Sequence, residues 1–257
     1  MIRAAWVCLA LLMGWLPLLA QAACLQNAPD MLHNYDGTIG DGLRVRMSLV
    51  LQGEKVQGLY FYGSQLKDIA LQGQLTQGTD LVLDELDAQG QAVARLQARF
   101  ADHDPKGRLP GSDLGCSVII GTWQALGAAQ SLPVYLALES STMGSLTQRY
   151  QAAGADDDAL VHRRALLFRD AVKRADKQAV AGLLAYPVPV QLAGRPSRLR
   201  NAADLLAHYD AIFSARYRAA IASALPRNMF VRYQGIMLGK GEVWFGPDGR
   251  VIALNNQ

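Results

Sequence analysis

Leu43-Arg44-Val45-Arg46-Met47-Ser48-Leu49-Val50-Leu51, then Gln52-Gly53-Glu54, then Val56-Gln57-Gly58-Leu59-Tyr60-Phe61-Tyr62: this stretch decides the fold of the first half. Apolar residues alternate with Arg44, Arg46 and Ser48, a period of two that turns one face of a strand inward. A glycine-centred turn follows, and a second run of aromatic and apolar residues comes after it, closed by Gly63-Ser64. The pair reads as a hairpin. Ile69-Ala70-Leu71-Gln72-Gly73, Leu81 to Leu86 and Ala92 to Phe100 extend the pattern, and Val118 to Trp123 and Leu132 to Leu138 look like closing strands. Turn residues recur about every ten positions, which predicts an antiparallel β-meander, a barrel or a sandwich, over residues 23–139.

The period changes further along. Residues 140–157 are polar and small, with Ala152-Ala153-Gly154-Ala155-Asp156-Asp157 leading into Asp158, and read as a linker whose acids suit a helix N-terminus. From 158 to 257 an α+β domain is expected. Leu160, Leu167, Phe168, Ala171, Val172 and Ala175 fall on one helical face. Asp176 can cap a second helix ended by Pro187, a hairpin is expected around Gly194-Arg195-Pro196, and a third helix starts near Asn201. Met229 to Leu238 reads as one strand, Glu242 to Phe245 as another, and Val251 to Leu254 as the last, after the turn Gly246-Pro247-Asp248-Gly249. Helices first and an antiparallel sheet last make an α+β arrangement.

Several segments of this second half resemble segments of uncharacterised envelope proteins of Gram-negative bacteria. They are Phe168-Arg169-Asp170-Ala171-Val172, Leu183-Leu184-Ala185-Tyr186-Pro187, Tyr209-Asp210-Ala211-Ile212-Phe213 and Gly235 to Phe245. The order of elements is similar to the cystatin-like cone of nuclear-transport-factor-like domains. The resemblance covers about residues 160–257 and implies helices packed on a curved antiparallel sheet. It implies no single activity, because that fold hosts enzymes, binders and inhibitors alike.

The N-terminus carries a different message. Arg3 precedes an uncharged, mostly apolar run from Ala4 to Ala22, and Ala20-Gln21-Ala22 fits a cleavage pattern, so residues 1–22 read as a secretory signal. The expected location is the periplasm. Gln21-Ala22-Ala23-Cys24 also resembles a bacterial lipoprotein signal, with Gln21 where that motif has a leucine-like residue, so a lipid anchor at Cys24 is the alternative. Cys8 leaves with the signal. The remaining Cys24 and Cys116 are expected to form one disulfide in an oxidising compartment.

Net charge is +3 over 257 residues, but its distribution is uneven. Residues 24–157 carry nine Lys+Arg against fifteen Asp+Glu, and residues 158–257 carry fifteen against seven. An acidic half and a basic half either attract each other or leave a basic surface for an envelope protein or another anionic ligand. Nucleic acid is not an expected partner of an exported chain.

The familiar catalytic signatures are missing. His33, His103, His162 and His208 form no H-E-x-x-H and no i,i+4 pair, so no metal site is expected. Gly111-Ser112-Asp113-Leu114-Gly115 puts its serine one position early for a nucleophile elbow, and Ser64-Gln65-Leu66-Lys67 has no partner motif. Asp102-His103-Asp104-Pro105-Lys106-Gly107 begins like a calcium loop but puts a lysine at a ligand position, and reads as a turn. In a cone, the sheet and third helix would line a pocket reached by His208, Tyr209 and Trp244, with Asp170, Tyr186 and Asp210 nearby. Arg195, Arg198 and Arg200 offer guanidinium forks for carboxylate or phosphate.

These observations lead to an exported, non-catalytic binding protein with an inhibitor-type or immunity-type role and no cofactor. The alternatives are a small molecule or lipid held in the cone, and a hydrolase or isomerase using Asp170 or His208.

Overall fold

The computed structural model describes residues 30–104, 106, 107 and 116–256. The expected signal over 1–22, Cys24 and the Gly111–Gly115 motif lie outside the described residues. None of the described helices is long and apolar enough to cross a membrane.

Eight strands run up and down in chain order. They are β1 (Met31–Ile39), β2 (Leu43–Gln52), β3 (Lys55–Tyr62), β4 (Ile69–Thr76), β5 (Asp80–Leu86), β6 (Ala92–Ala101), β7 (Val118–Ala125) and β8 (Leu132–Met143). Each pairs antiparallel with the next, and β8 returns to β1, so the meander closes as a barrel rather than a sandwich. Closure removes the exposed edges that an open sheet leaves. The closing strand β1 is absent from the expected strands, because its Asn34, Asp36 and Thr38 dilute the apolar signal.

The alternation sets what faces inward. Tyr35, Val45, Met47, Leu49, Tyr60, Leu71, Leu83, Leu96, Ile119 and Leu136 form one apolar cluster inside the barrel. Eight strands enclose an interior just wide enough for side chains to fill. Each such fully buried side chain contributes roughly 1.5–3 kcal/mol. Three barrel glycines allow neighbouring backbones to come close: a Cβ at Gly37 would lie 2.0 Å from the Tyr135 carbonyl oxygen, one at Gly73 1.9 Å from that of Val82, and one at Gly121 2.1 Å from that of Gln97.

The second half holds α1 (Asp158–Lys173), α2 (Lys177–Gly182), β9 (Val188–Leu192), β10 (Arg195–Leu199), α3 (Ala202–Ile212) and α4 (Ala215–Ser223). Four short strands follow: β11 (Phe230–Arg232), β12 (Gly235–Leu238), β13 (Val243–Phe245) and β14 (Val251–Leu254). Side chains that can accept from orphan amides start every helix: Asp157, Asp176, Asn201 and Ser214 each bond a backbone N–H of the first turn. The expected caps Asp176 and Asn201 are among them. The strands β11 to β14 form one antiparallel sheet, β9 and β10 pair as a hairpin, and the Asn256 side chain bonds both backbone groups of Gln191 beside it.

Two local expectations are corrected. The buried stripe of α1 is Val161, Ala165, Phe168, Ala171 and Val172, while Leu167 is 56% exposed. Spacing of 161, 165, 168 and 172 follows one helical face, and Leu167 lies off it. Met229 to Leu238 is not one strand. It turns back at Tyr233-Gln234, pairing Arg232 with Gly235, whose φ of 143° is a glycine conformation.

A second apolar cluster joins the helices to the four-stranded sheet through Phe168, Tyr209, Phe213 and Phe245. Tyr209 stacks on Phe213 at 4.6 Å and Phe168 meets Phe245 edge-on at 5.9 Å. The stretch 140–157 is no free linker. Ser140 to Met143 belong to β8, Gln151–Ala153 form a 3-10 turn, and Tyr150 is fully buried in the second cluster.

Candidate functional site

The two clusters meet over the outer face of β1, β2 and β8. Odd positions of β2 point into the barrel, so Arg46 and Ser48 face outward, where the chain from residue 226 onward covers them. Arg46 donates to Asp36, to Glu139 and to the Asn228 carbonyl. Ser48 donates to Asn34 Oδ1 at 2.6 Å and accepts from Asn228 at 3.3 Å. Asn228 holds a left-handed φ of 49°, which asparagine tolerates better than most residues. Arg227 grips Asp68 through two parallel bonds of 2.7 and 2.5 Å.

Beside this junction lies a cleft of about 520 Å³. Its wall is built from Leu66 and Asp68 of the β3–β4 loop, Thr147 and Arg149 of the connection, and the first turns of α1. Arg149 is the residue that stands out. It is 3% exposed, and its Nη1 donates to Asn34 Oδ1 at 3.2 Å and Ser48 Oγ at 2.8 Å. Its Nε and Nη2 have no hydrogen-bond partner among the described residues, and no carboxylate there lies within ion-pair distance. Burial pulls its acidity constant below the usual guanidinium range, with partial compensation from Tyr150, Asp68 and Asp158. Arginine nevertheless keeps its charge in proteins.

Of the four aspartates that line the cleft, Asp156 is exposed and three are engaged. Asp68 belongs to Arg227. Asp157 caps α1, and Asp158 accepts from the backbone N–H of Arg149 at 2.7 Å and of Tyr150 at 3.2 Å. Burial raises Asp158 above the ordinary carboxylate value, against the lowering by those two bonds. The expected capping role of the 156–158 acids is therefore what Asp157 performs.

His162 completes the cleft. Its Nε2 lies 2.8 Å from Tyr150 Oη, which also accepts the Met229 N–H at 3.0 Å. Which of the two side chains donates to the other is set by the imidazole tautomer. Burial first, then Arg227 and Arg149, push the His162 pKa down to about 3. It is neutral near pH 7 and a weak proton acceptor there.

The residues singled out from sequence are scattered. Arg195 and Arg198 lie exposed on β10 and Arg200 follows it; the Arg200 backbone N–H donates to Asp204, and none of the three guanidinium groups forms an ion pair among the described residues. Arg198 lines a groove of about 350 Å³ with Pro189, Gln191 and Asn255. His208 is exposed on α3, whereas Tyr209, next to it, is buried with Lys177 5.1 Å over its ring. Trp244 faces away from the core that takes Val243 and Phe245, and lines a pocket of about 560 Å³ with Arg216, Tyr217 and Lys240. Tyr209 and Trp244 therefore do not share a pocket, because neighbouring strand positions point to opposite faces. Asp170 is held by Arg169, Asp210 by Lys177, and Tyr186 donates to the Ala181 carbonyl. The structure brings neither His208 nor Asp170 into the other's hydrogen-bond reach.

No sequence motif marks Arg149 or His162 as a site residue. Arg149 is the one Lys or Arg between Arg108 and Arg163 in the sequence, and nothing there marks it as buried. The Asp102–Gly107 segment forms a turn: Asp104 accepts from Lys106 N–H and Asp102 from Cys116 N–H. Among the described residues no group of three or more His, Cys, Asp or Glu could hold a metal. The chain matches no protein-family model, and no significant match to it was found among curated proteins or solved structures.

Proposed function

We propose that this chain is an exported binding protein of the cell envelope that takes a carboxylate of a protein partner in the cleft at Arg149. The observation that carries the reading is a buried guanidinium with two nitrogens lacking protein partners at the wall of an open cleft. A buried charge without an opposite charge costs several kcal/mol, and ligand binding is a common reason to retain one. Carboxylate suits the planar fork of arginine, which it can meet with two parallel bonds. Export is supported by the sequence of residues 1–22. The cone-like reading of residues 158–257 is supported by helices packed on one face of an antiparallel sheet, with the β9–β10 hairpin alongside β14. The exposed arginines 195, 198 and 200 are a second basic surface that this partner could meet.

Calorimetric titration with hexaglutamate separates these surfaces. Saturable, salt-sensitive binding is expected, weakened about 30-fold by Arg149→Met, the size of a lost charge-assisted hydrogen bond. Circular dichroism checks that the variant folds, with Arg149→Lys as the milder change. Binding that survives Arg149→Met but disappears when Arg195, Arg198 and Arg200 become glutamine together would move the site to the hairpin. Absence of binding to any form overturns the reading.

A further inference from the structure

The barrel interior is apolar except at one end. Glu85 pairs with Leu71 and Ala94 across the sheet and so shares their inward side. Tyr60 donates to Glu85 Oε2 at 2.6 Å, and the Trp123 indole donates to the same oxygen at 2.8 Å. The other carboxylate oxygen has no partner among the described residues. No cation pairs with Glu85 there either; Arg95, its neighbour on β6, points outward to Asp84.

The surroundings are aromatic. Tyr62 lies edge-on to Tyr60 at 5.5 Å, and Tyr62 and Trp123 are half-buried while Tyr60 is sealed. Ile69 and Leu132 pair with Tyr60 and Trp123 and extend the apolar rim. These side chains sit where β3, β5 and β7 end, so they gather at a single barrel mouth.

We infer that this mouth binds an organic cation, an ammonium with apolar substituents, on the free oxygen of Glu85 against the rings of Tyr62 and Trp123. Two neutral donors on one oxygen fix the carboxylate and leave the other lone pairs directed elsewhere. A hard metal ion needs several oxygen ligands, which one carboxylate in an aromatic rim does not supply. An alkylammonium needs one negative charge and aromatic faces, which this rim supplies. None of Glu85, Tyr60, Tyr62 and Trp123 lines the cleft at Arg149.

Trp123 makes the test direct. With Trp6→Phe, Trp15→Phe and Trp244→Phe together, its fluorescence reports the mouth, titrated with choline and with 3,3-dimethylbutan-1-ol, the uncharged isostere. Choline should give a saturable change, the alcohol none, and Glu85→Gln should weaken choline about tenfold, since the amide keeps an acceptor but loses the charge. Equal response to both compounds, no saturation with choline, or unchanged affinity in a folded Glu85→Gln overturns the inference. Should Glu85→Gln fail to fold, Tyr62→Leu carries the test: it keeps the carboxylate, and choline binding that does not weaken overturns the proposal.

Discussion

Asp68 and Arg227, 159 positions apart, close on each other through two parallel hydrogen bonds, Nε to Oδ1 at 2.7 Å and Nη2 to Oδ2 at 2.5 Å. One belongs to a barrel loop and the other to the segment after the last helix, so the pair ties the two cores together at the edge of the cleft. Asp68 is the first cause of the raised Arg227 pKa. Both side chains are a quarter exposed, so solvent screens the pair. A double-mutant cycle with Asp68→Asn and Arg227→Gln in urea should give a coupling of about 1 kcal/mol, at the upper end for exposed pairs because the geometry is bidentate.

His162 makes stability fall in mild acid. Its folded pKa is about 3, below the ordinary 6.5. Between those values the unfolded chain takes up a proton that the folded chain refuses, so acidification favours unfolding. The loss begins as pH drops below about 6.5 and is complete below about 3. At pH 5 it amounts to about 1 kcal/mol after allowing for the partial exposure of the ring. Asp158 acts with the opposite sign: its raised pKa makes the folded state take up a proton first, adding stability as pH falls. His162→Gln should flatten the decline between pH 6.5 and 4 measured by denaturant melts, and an unchanged slope would place its cause elsewhere.

Barrel strands approach closely at Gly37, Gly73 and Gly121. Gly73→Ala and Gly121→Ala would each press a methyl group onto a neighbouring carbonyl oxygen. Each should destabilise the barrel by about 3 kcal/mol or more. Gly90→Ala is the contrast: nothing lies within 4 Å of its Cβ position, and only its φ of 78° resists the change, for about 1 kcal/mol. Thermal melts of the three variants rank these costs.

Cys116 is buried, and Cys24 is its expected disulfide partner. Intact mass before and after reduction of the mature protein should differ by two protons. Loss of the bond in Cys24→Ser should cost about 4 kcal/mol, the chain-entropy value for a loop of roughly ninety residues. A lipid mass on Cys24 would replace this pairing with an anchor.

Some of this molecule is written locally. Leu43 to Leu51 and Val56 to Tyr62 announce β2 and β3, because alternation has a period of two wherever one face is buried. Asp176 and Asn201 announce helix starts, because a short polar side chain meets orphan amides only there. The choice between barrel and sandwich is not local. It rests on β1, whose Asn34, Asp36 and Gly37 carry little β signal and which becomes a strand by pairing with β2 on one side and β8 on the other.

The candidate sites follow the same division. Sequence by itself determined that Arg195 and Arg198 stand on a hairpin and that the second half is basic, since turn residues and net charge are local properties. Only tertiary structure decided which charges lack partners. Arg149 and Glu85 look like any other charged residues in the chain. Burial at a junction or inside a barrel mouth depends on segments more than a hundred residues apart for Arg149 and on the neighbouring strands for Glu85.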